Sequence, residues 1–217
     1  MATLFDGKLT VRQPARGEGY RVNVDALHLA AFAGARHARR AVDLGAGVGA
    51  VALALLFKRA VDRVRLVEID PTEAELARQN LADNGWTDRG EVVCADVMRA
   101  AHEYGGEADL VVSNPPYVAP GRGRAPAQPS RARARSGELA AFTGAARHFL
   151  GRRGRACFVY PAPDLEALFA LLRASGLEPK RMRAVHASAD RPARVVLVEA
   201  QPGKRGGLVI EAPLIER

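Results

Sequence analysis

The sequence predicts an α/β fold, a doubly wound and mostly parallel sheet with helices on both faces, and three observations carry that prediction. Short β-branched runs alternate with helix-length segments between residues 41 and 160, a pattern that requires crossover connections between parallel strands. The first run ends in the glycine-rich turn Gly45-Ala46-Gly47-Val48-Gly49, and an apolar helical stretch follows at once. Asp43, Glu68, Asp96 and Asn114 fall at the carboxyl ends of successive runs, the edge where ligands bind in open sheets of this kind.

Composition sets the bounds. A chain of 217 residues, 48% apolar, fits one domain spanning 1–217 and can bury a full core. The net charge of +8 and pI near 10.2 favour a polyanionic partner, of which RNA and DNA are the usual ones. Lys8, Lys58, Lys180 and Lys204 are the only lysines among 32 basic residues, so arginine, the better phosphate fork, predominates. Cys94 and Cys157 lie in runs that read as buried strands, with no CxxC pair or histidine cluster. They read as reduced core residues, and no metal site is expected. The first residues lack a basic segment followed by an apolar run, and no uncharged apolar stretch reaches membrane-spanning length, so the expectation is a cytoplasmic protein without a membrane partner.

In chain order, residues 3–22 alternate apolar and polar around Asp6-Gly7 and Gly17-Glu18-Gly19. They predict a small antiparallel hairpin within an N-terminal extension over 1–38. Asn23 or Asp25 can cap the helix that runs through Leu27, Ala30, Ala31 and Phe32; for Asp25, a place near a ligand is the other reading. A first strand over 41–44 and a helix over 50–57 flank the glycine turn. A second strand over 64–69 leads to Asp70-Pro71, which starts a helix over 72–81 that closes at Asn84-Gly85. Residues 91–94 and 109–112 give two further strands, with a short helix over 98–102 between them. The stretch 119–137 is rich in Pro, Gly and Arg and carries Arg122, Arg124, Arg131, Arg133 and Arg135 without an acid. It reads either as a solvated loop or as an anion-gripping segment that orders on binding. A helix over 138–150, a strand over 156–160, a helix over 164–175 and two apolar strands near 183–185 and 195–198 follow, with Gly203-Lys204-Arg205-Gly206-Gly207 as a hairpin turn.

The strand ends carry the chemistry. Ser113-Asn114-Pro115-Pro116-Tyr117 cannot continue a strand, because each proline lacks an N–H and restricts the residue before it. Asn114 and the carbonyl of Pro115 offer two hydrogen-bond acceptors and Tyr117 a stacking face, a set that suits a planar group bearing an NH2. A plain strand-ending turn is the simpler reading. Asp43 suits a positively charged amino-acid moiety better than a pyrophosphate, although Gly45, Gly47 and Ala50 also fit a dinucleotide pattern. Glu68 stands where an acidic residue accepts both ribose hydroxyls. Asp96 can either reach the amino group of a bound adenine or cap the next helix, and Asp70 reads as a cap.

The ordered set Asp43-Leu44-Gly45-Ala46-Gly47-Val48-Gly49, Val67-Glu68-Ile69-Asp70, Ala95-Asp96-Val97 and Ser113-Asn114-Pro115-Pro116-Tyr117 resembles class I S-adenosylmethionine-dependent methyltransferases of the amino-methylating type. The resemblance implies a seven-stranded sheet whose last strand is antiparallel, with S-adenosyl-L-methionine as cofactor. It further implies cofactor contacts from Asp43, Gly45, Gly47, Gly49 and Asn114, ribose contacts from Glu68 beside Ile69, and adenine contacts near Asp96 and Val97. Asn114, with Pro115, Pro116 and Tyr117, is implied in binding the target amine. Gly19-Tyr20-Arg21-Val22-Asn23-Val24-Asp25-Ala26-Leu27 and Arg191-Pro192-Ala193-Arg194-Val195-Val196-Leu197-Val198-Glu199-Ala200 look like the bacterial tRNA (adenine-N6)-methyltransferases. Those enzymes act next to the anticodon of a valine tRNA, so the implied partner is a tRNA anticodon stem-loop, which the loop arginines would grip if that stretch is the anion-gripping segment. His28 and the Arg-rich stretch depart from that family's pattern. A protein-glutamine methyltransferase, an rRNA or DNA amino-methyltransferase and a catalytically inactive RNA-binding module are the rival readings.

Overall fold

The computed structural model describes residues 2–14, 23–106, 108–116, 129–203 and 205–216, with the backbone alone for residue 2 and residues 129–136. The predicted hairpin is present as β1 (Ala2–Leu4) and antiparallel β2 (Leu9–Val11). α1 (Val24–Ala33) is capped by Asn23, whose Oδ1 accepts from the Ala26 N–H at 3.1 Å. Asp25 is therefore not the cap: its carboxylate is 3% exposed and lies 2.7 Å from the Arg194 guanidinium.

Then come β3 (Ala38–Leu44), α2 (Ala50–Phe57), β4 (Val61–Glu68), α3 (Pro71–Asp83), β5 (Gly90–Cys94), α4 (Val97–Tyr104) and β6 (Ala108–Ser113). α5 (Pro129–Phe149), β7 (Leu150–Pro161), a 3-10 turn (Ala162–Asp164), α6 (Leu165–Ala174), β8 (Leu177–His186) and β9 (Ala193–Pro202) follow, with β10 (Val209–Ile210) and β11 (Leu214–Ile215) last. The seven long strands lie in the order β5-β4-β3-β6-β7-β9-β8. Neighbours from β5 to β7 are parallel, while β9, the last of the seven in the chain, runs antiparallel to both β7 and β8.

Local sequence explains the layers. α2 is apolar all round and almost wholly buried, as a helix packed between a sheet and other helices must be. α3 is amphipathic: Ala74, Ala77 and Leu81 face inward, Asp70 caps it through the Thr72 and Glu73 N–H groups, and Pro71 occupies its first position. One apolar cluster joins α1 and α2 to one face of the sheet, and a second joins α4, α5 and α6 to the other.

Three expectations need correction. α5 begins at Pro129, so residues 129–137 of the basic stretch are helix and not loop. Proline is tolerated at a helix start, and the alternating Arg and Ala that follow are strong helix formers. Residues 119–128, with Arg122 and Arg124, lie outside the described residues. The glycine-rich segment after β9 is not a hairpin: Gly203, Gly206 and Gly207 at positive φ carry the chain across the sheet edge, and β10 pairs parallel with β8, Val209 opposite Arg181. Cys94 is exposed, because β5 is the edge strand and only partly covered. Cys157 is buried, and that burial pushes its thiol up to about 12.

Candidate active site

The glycine turn is built by backbone geometry and two carboxylates. The Gly45 and Ala46 N–H groups both donate to the Val67 carbonyl, at 2.9 and 3.0 Å, so the chain doubles back over the end of β4. Gly45, Gly47 and Gly49 sit at φ of 65°, 54° and 88°, the left-handed region that disfavours side chains. Two of them are also fixed by space. A Cβ on Gly45 would stand 2.9 Å from the Phe142 ring, and one on Gly49 2.9 Å from Leu66.

Asp43, the penultimate residue of β3, is 1% exposed, and its Oδ2 accepts from the Ala52 N–H in the first turn of α2 at 3.1 Å. Glu68, the last residue of β4, spans the turn: Oε2 accepts from the Gly47 N–H at 2.7 Å and Oε1 from the Asp70 N–H at 2.9 Å. Burial pushes the Asp43 carboxyl up to about 7; the Ala52 N–H opposes that shift and the charge of Glu68 adds to it. Asp43 therefore binds a proton more readily folded than unfolded. Its contribution to stability is complete below about pH 4 and is lost as pH rises to about 7. In denaturant titrations across that window, Asp43→Asn should show a shallower decline of stability with pH than the parent; equal slopes would mean that Asp43 does not titrate there.

Asp43, Gly45, Gly47 and Asn114 line one cleft, which Ala26 from the first turn of α1 and Val51 of α2 close. Asn114 is half-buried, Pro115 is buried and Pro116 is exposed; Tyr117 lies outside the described residues. The other singled-out residues that the structure describes stand outside this cleft. Ile69 is 66% exposed just past β4. Asp96 is exposed and caps α4 through the Met98 and Arg99 N–H groups, and Val97 is buried as the first residue of that helix. Arg131, Arg133 and Arg135 belong to the first turns of α5. A larger groove, about 470 Å³, lies at the opposite, amino edge between Arg40, Arg63, Arg65 and Tyr104, where Arg65 pairs with Glu91. Among the described residues, none of the singled-out side chains lines it.

One supporting residue was not foreseen. Asn80, fully buried in α3, donates to the Val48 carbonyl of the glycine turn at 2.9 Å. It also exchanges bonds with the Arg12 backbone, accepting from its N–H at 2.6 Å and donating to its carbonyl at 3.0 Å. The hairpin extension is thereby tied to the turn. An amide at the position three residues after Ala77, on the inward face of the helix, was the available signal.

A parallel sheet in this strand order, with one antiparallel strand inserted near its end and a left-handed glycine turn at its centre, defines the class I S-adenosylmethionine-dependent methyltransferases. The cofactor is S-adenosyl-L-methionine, and the turn fits it in two respects. The three glycines keep the backbone bare where a ligand approaches, and Glu68, with one amide on each oxygen, retains lone pairs for further donors. Residues 23–129 match the family model described as methyltransferase small domain. The tRNA1(Val) (adenine(37)-N6)-methyltransferase of Enterobacter sp. (strain 638) is 36% identical over 146 residues, 65% of this chain and 58% of that protein. Its namesake from Actinobacillus pleuropneumoniae serotype 7 (strain AP76) is 31% identical over 159 residues, 72% of this chain and 66% of that protein. The chain thus matches less than two thirds of the length of these relatives. Among solved structures, a predicted O-methyltransferase from Agrobacterium tumefaciens superposes with a TM-score of 0.70 at 26% identity, covering 88% of this chain and 86% of that one. A putative RNA methyltransferase from Pyrococcus horikoshii shares the fold, with a TM-score of 0.63 at 16% identity over 90% of this chain and 93% of that one.

Proposed function

We propose that this methyltransferase acts on the exocyclic amine of an adenine in tRNA, next to the anticodon of a valine tRNA. The observation that supports it most is the meeting of Asn114 with Asp43 and the glycine turn in one cleft, in a chain whose relatives are named for that reaction. When bound, the cofactor supplies an electrophilic methyl group on a sulfonium centre. In this reading Asp43, Gly45, Gly47, Gly49 and Asn114 hold its amino-acid end, Glu68 with Ile69 the ribose, and Asp96 with Val97 the adenine. The amine to be methylated is a poor nucleophile, since its lone pair is delocalised into the ring. Asn114 and the Pro115 carbonyl accept its two N–H bonds and turn the lone pair toward the cofactor, Pro116 stiffens the turn, and Tyr117 stacks on the base. Positioning and fixed dipoles supply the acceleration. A base within an RNA fold is splayed out to reach this turn.

The test is methyl transfer from labelled cofactor to tRNA, rRNA, DNA and protein fractions, followed by nucleoside and amino-acid analysis. N6-methyladenosine in tRNA is the expected product. Label recovered on a protein glutamine would replace the adenine reading with the protein-directed one.

In the same reading Arg122, Arg124, Arg131, Arg133 and Arg135 contact RNA phosphates. Replacing Arg131, Arg133 and Arg135 together by Ser should flatten the slope of log affinity against log salt by roughly two to three, because each phosphate contact releases close to one counterion. A slope equal to that of the parent would remove these arginines from the RNA interface.

A further inference from the structure

The first turn of α1 forms part of the wall of the cleft, where Ala26 lines it together with Asp43 and Asn114. The rest of that helix packs through Leu29, Ala30, Phe32 and Ala33, all buried. Apolar packing is non-directional, so it fixes neither the rotation nor the axial position of a helix sharply. Directional bonds do. Asp25, adjacent to Ala26, is held by a two-pronged guanidinium: Arg194 Nη2 lies 2.7 Å from Oδ1, and Nη1 donates to Oδ2 at 3.0 Å. The same Nη2 donates to Glu216 Oε1 at 2.6 Å, and that oxygen also meets His28 Nε2 at 2.9 Å. The cluster therefore ties two successive turns of α1 to the start of β9 and to the residue after β11. Since β9 is antiparallel, its first residues stand at the carboxyl edge of the sheet, beside the end of β7 and two strands from Asn114.

We propose that Arg194 is a positioning residue for the methyl-transfer cleft, acting through Asp25 to set where the first turn of α1 stands against Asn114 and the glycine turn. The inference rests on this cleft being the cofactor's, and it does not depend on which substrate is methylated. A buried carboxylate stripped of its partner draws in water or reorients, and Ala26 moves with it.

The experiment uses the full chain with Arg194→Met, Arg194→Lys, Asp25→Asn and the double variant Asp25→Asn/Arg194→Met. Cofactor affinity is measured by calorimetry, methyl transfer by labelled cofactor, and melting temperature alongside both. Arg194→Met should lower kcat/KM on the order of a hundredfold, the size of a misplacement of about 1 Å at a reacting centre, with weakened cofactor affinity. Lysine, which keeps the charge and loses the fork, should restore only part of it. The double variant should lose no more than the worse single variant, because both singles break one coupling. A lowered melting temperature with parental cofactor affinity, kcat and KM in the folded protein would overturn the proposal, as would fully additive losses. A parent that binds the cofactor yet leaves tRNA unmodified would sink the tRNA reading alone. A parent that does not bind the cofactor would sink this inference with the site assignment.

Discussion

In the proposed reaction, Asn114→Ala should lower the rate constant of methyl transfer by about a hundredfold or more, a larger change than any rise in the Michaelis constants for cofactor and RNA. The magnitude is that of losing one preorganised hydrogen bond at a reacting centre. The division between the constants follows from when the bond matters. An amide acceptor binds a planar, conjugated amine only moderately, but it holds the pyramidal, attacking amine whose N–H bonds have become more acidic, so its loss is felt mostly in the transition state. Asn114 is suited to this because it leaves β6 directly into two prolines, which stiffen the turn, and because Ser113 before it is anchored by a 3.0 Å bond from its hydroxyl to the Leu44 carbonyl. The measurement is single-turnover methyl transfer at saturating cofactor and RNA. A rise in Michaelis constant with an unchanged rate constant would make Asn114 a binding residue, with the chemistry elsewhere.

The strands, their carboxyl ends and the glycine turn were legible because their signals are local. A β-branched run closed by glycine, by a helix-capping Asp or by Asn-Pro-Pro fixes a strand and its carboxyl end without reference to distant residues, and four such ends put Asp43, Glu68, Asp96 and Asn114 on one edge. What stayed hidden was non-local or compositional. Nothing near Asp25 points to Arg194, 169 residues away, so the choice between cap and ligand group missed its actual partner. Asp43 and Glu68 read as groups facing a ligand, yet each also holds a backbone amide of the glycine turn or of α2, a task that pattern alone cannot reveal. The Pro, Gly and Arg content of 119–137 suggested loop, whereas the alternating Ala and Arg after Pro129 favour helix. Edge exposure of Cys94 likewise depends on the sheet order, which residues 91–94 do not encode by themselves.

Removing the carboxylate of Glu199 should cost about 3–5 kcal/mol of folding stability, the toll of leaving buried charges without their partner. Glu199 is 3% exposed on β9 and collects three guanidinium groups: Arg36 at 2.8 Å, Arg181 at 3.0 Å and Arg155 at 3.8 Å, with Gln201 donating at 2.8 Å. Two of those arginines hold the end of α1 away from the cleft: Arg155 donates to the Ala33 carbonyl at 3.0 Å, and Arg181 donates to the Phe32 carbonyl at 2.9 Å while lying over the Phe32 ring. Burial already lowers the pKa of Arg155, with the charges of Arg36 and Arg181 adding to the effect and that of Glu199 opposing it. In Glu199→Ala the like charges face one another without a counterion, and the cavity left behind adds to the loss. The melting temperature should fall by roughly 6–20 °C, since a chain of this size loses about 2–4 °C per kcal/mol. Arg36→Ala supplies the contrast: that side chain is 57% exposed, and its pair with Glu199 should be worth no more than about 1 kcal/mol. Comparable losses in the two variants, or a change of only a degree or two in Glu199→Ala, would show that the arginines find water or other acceptors and that Glu199 does not anchor α1.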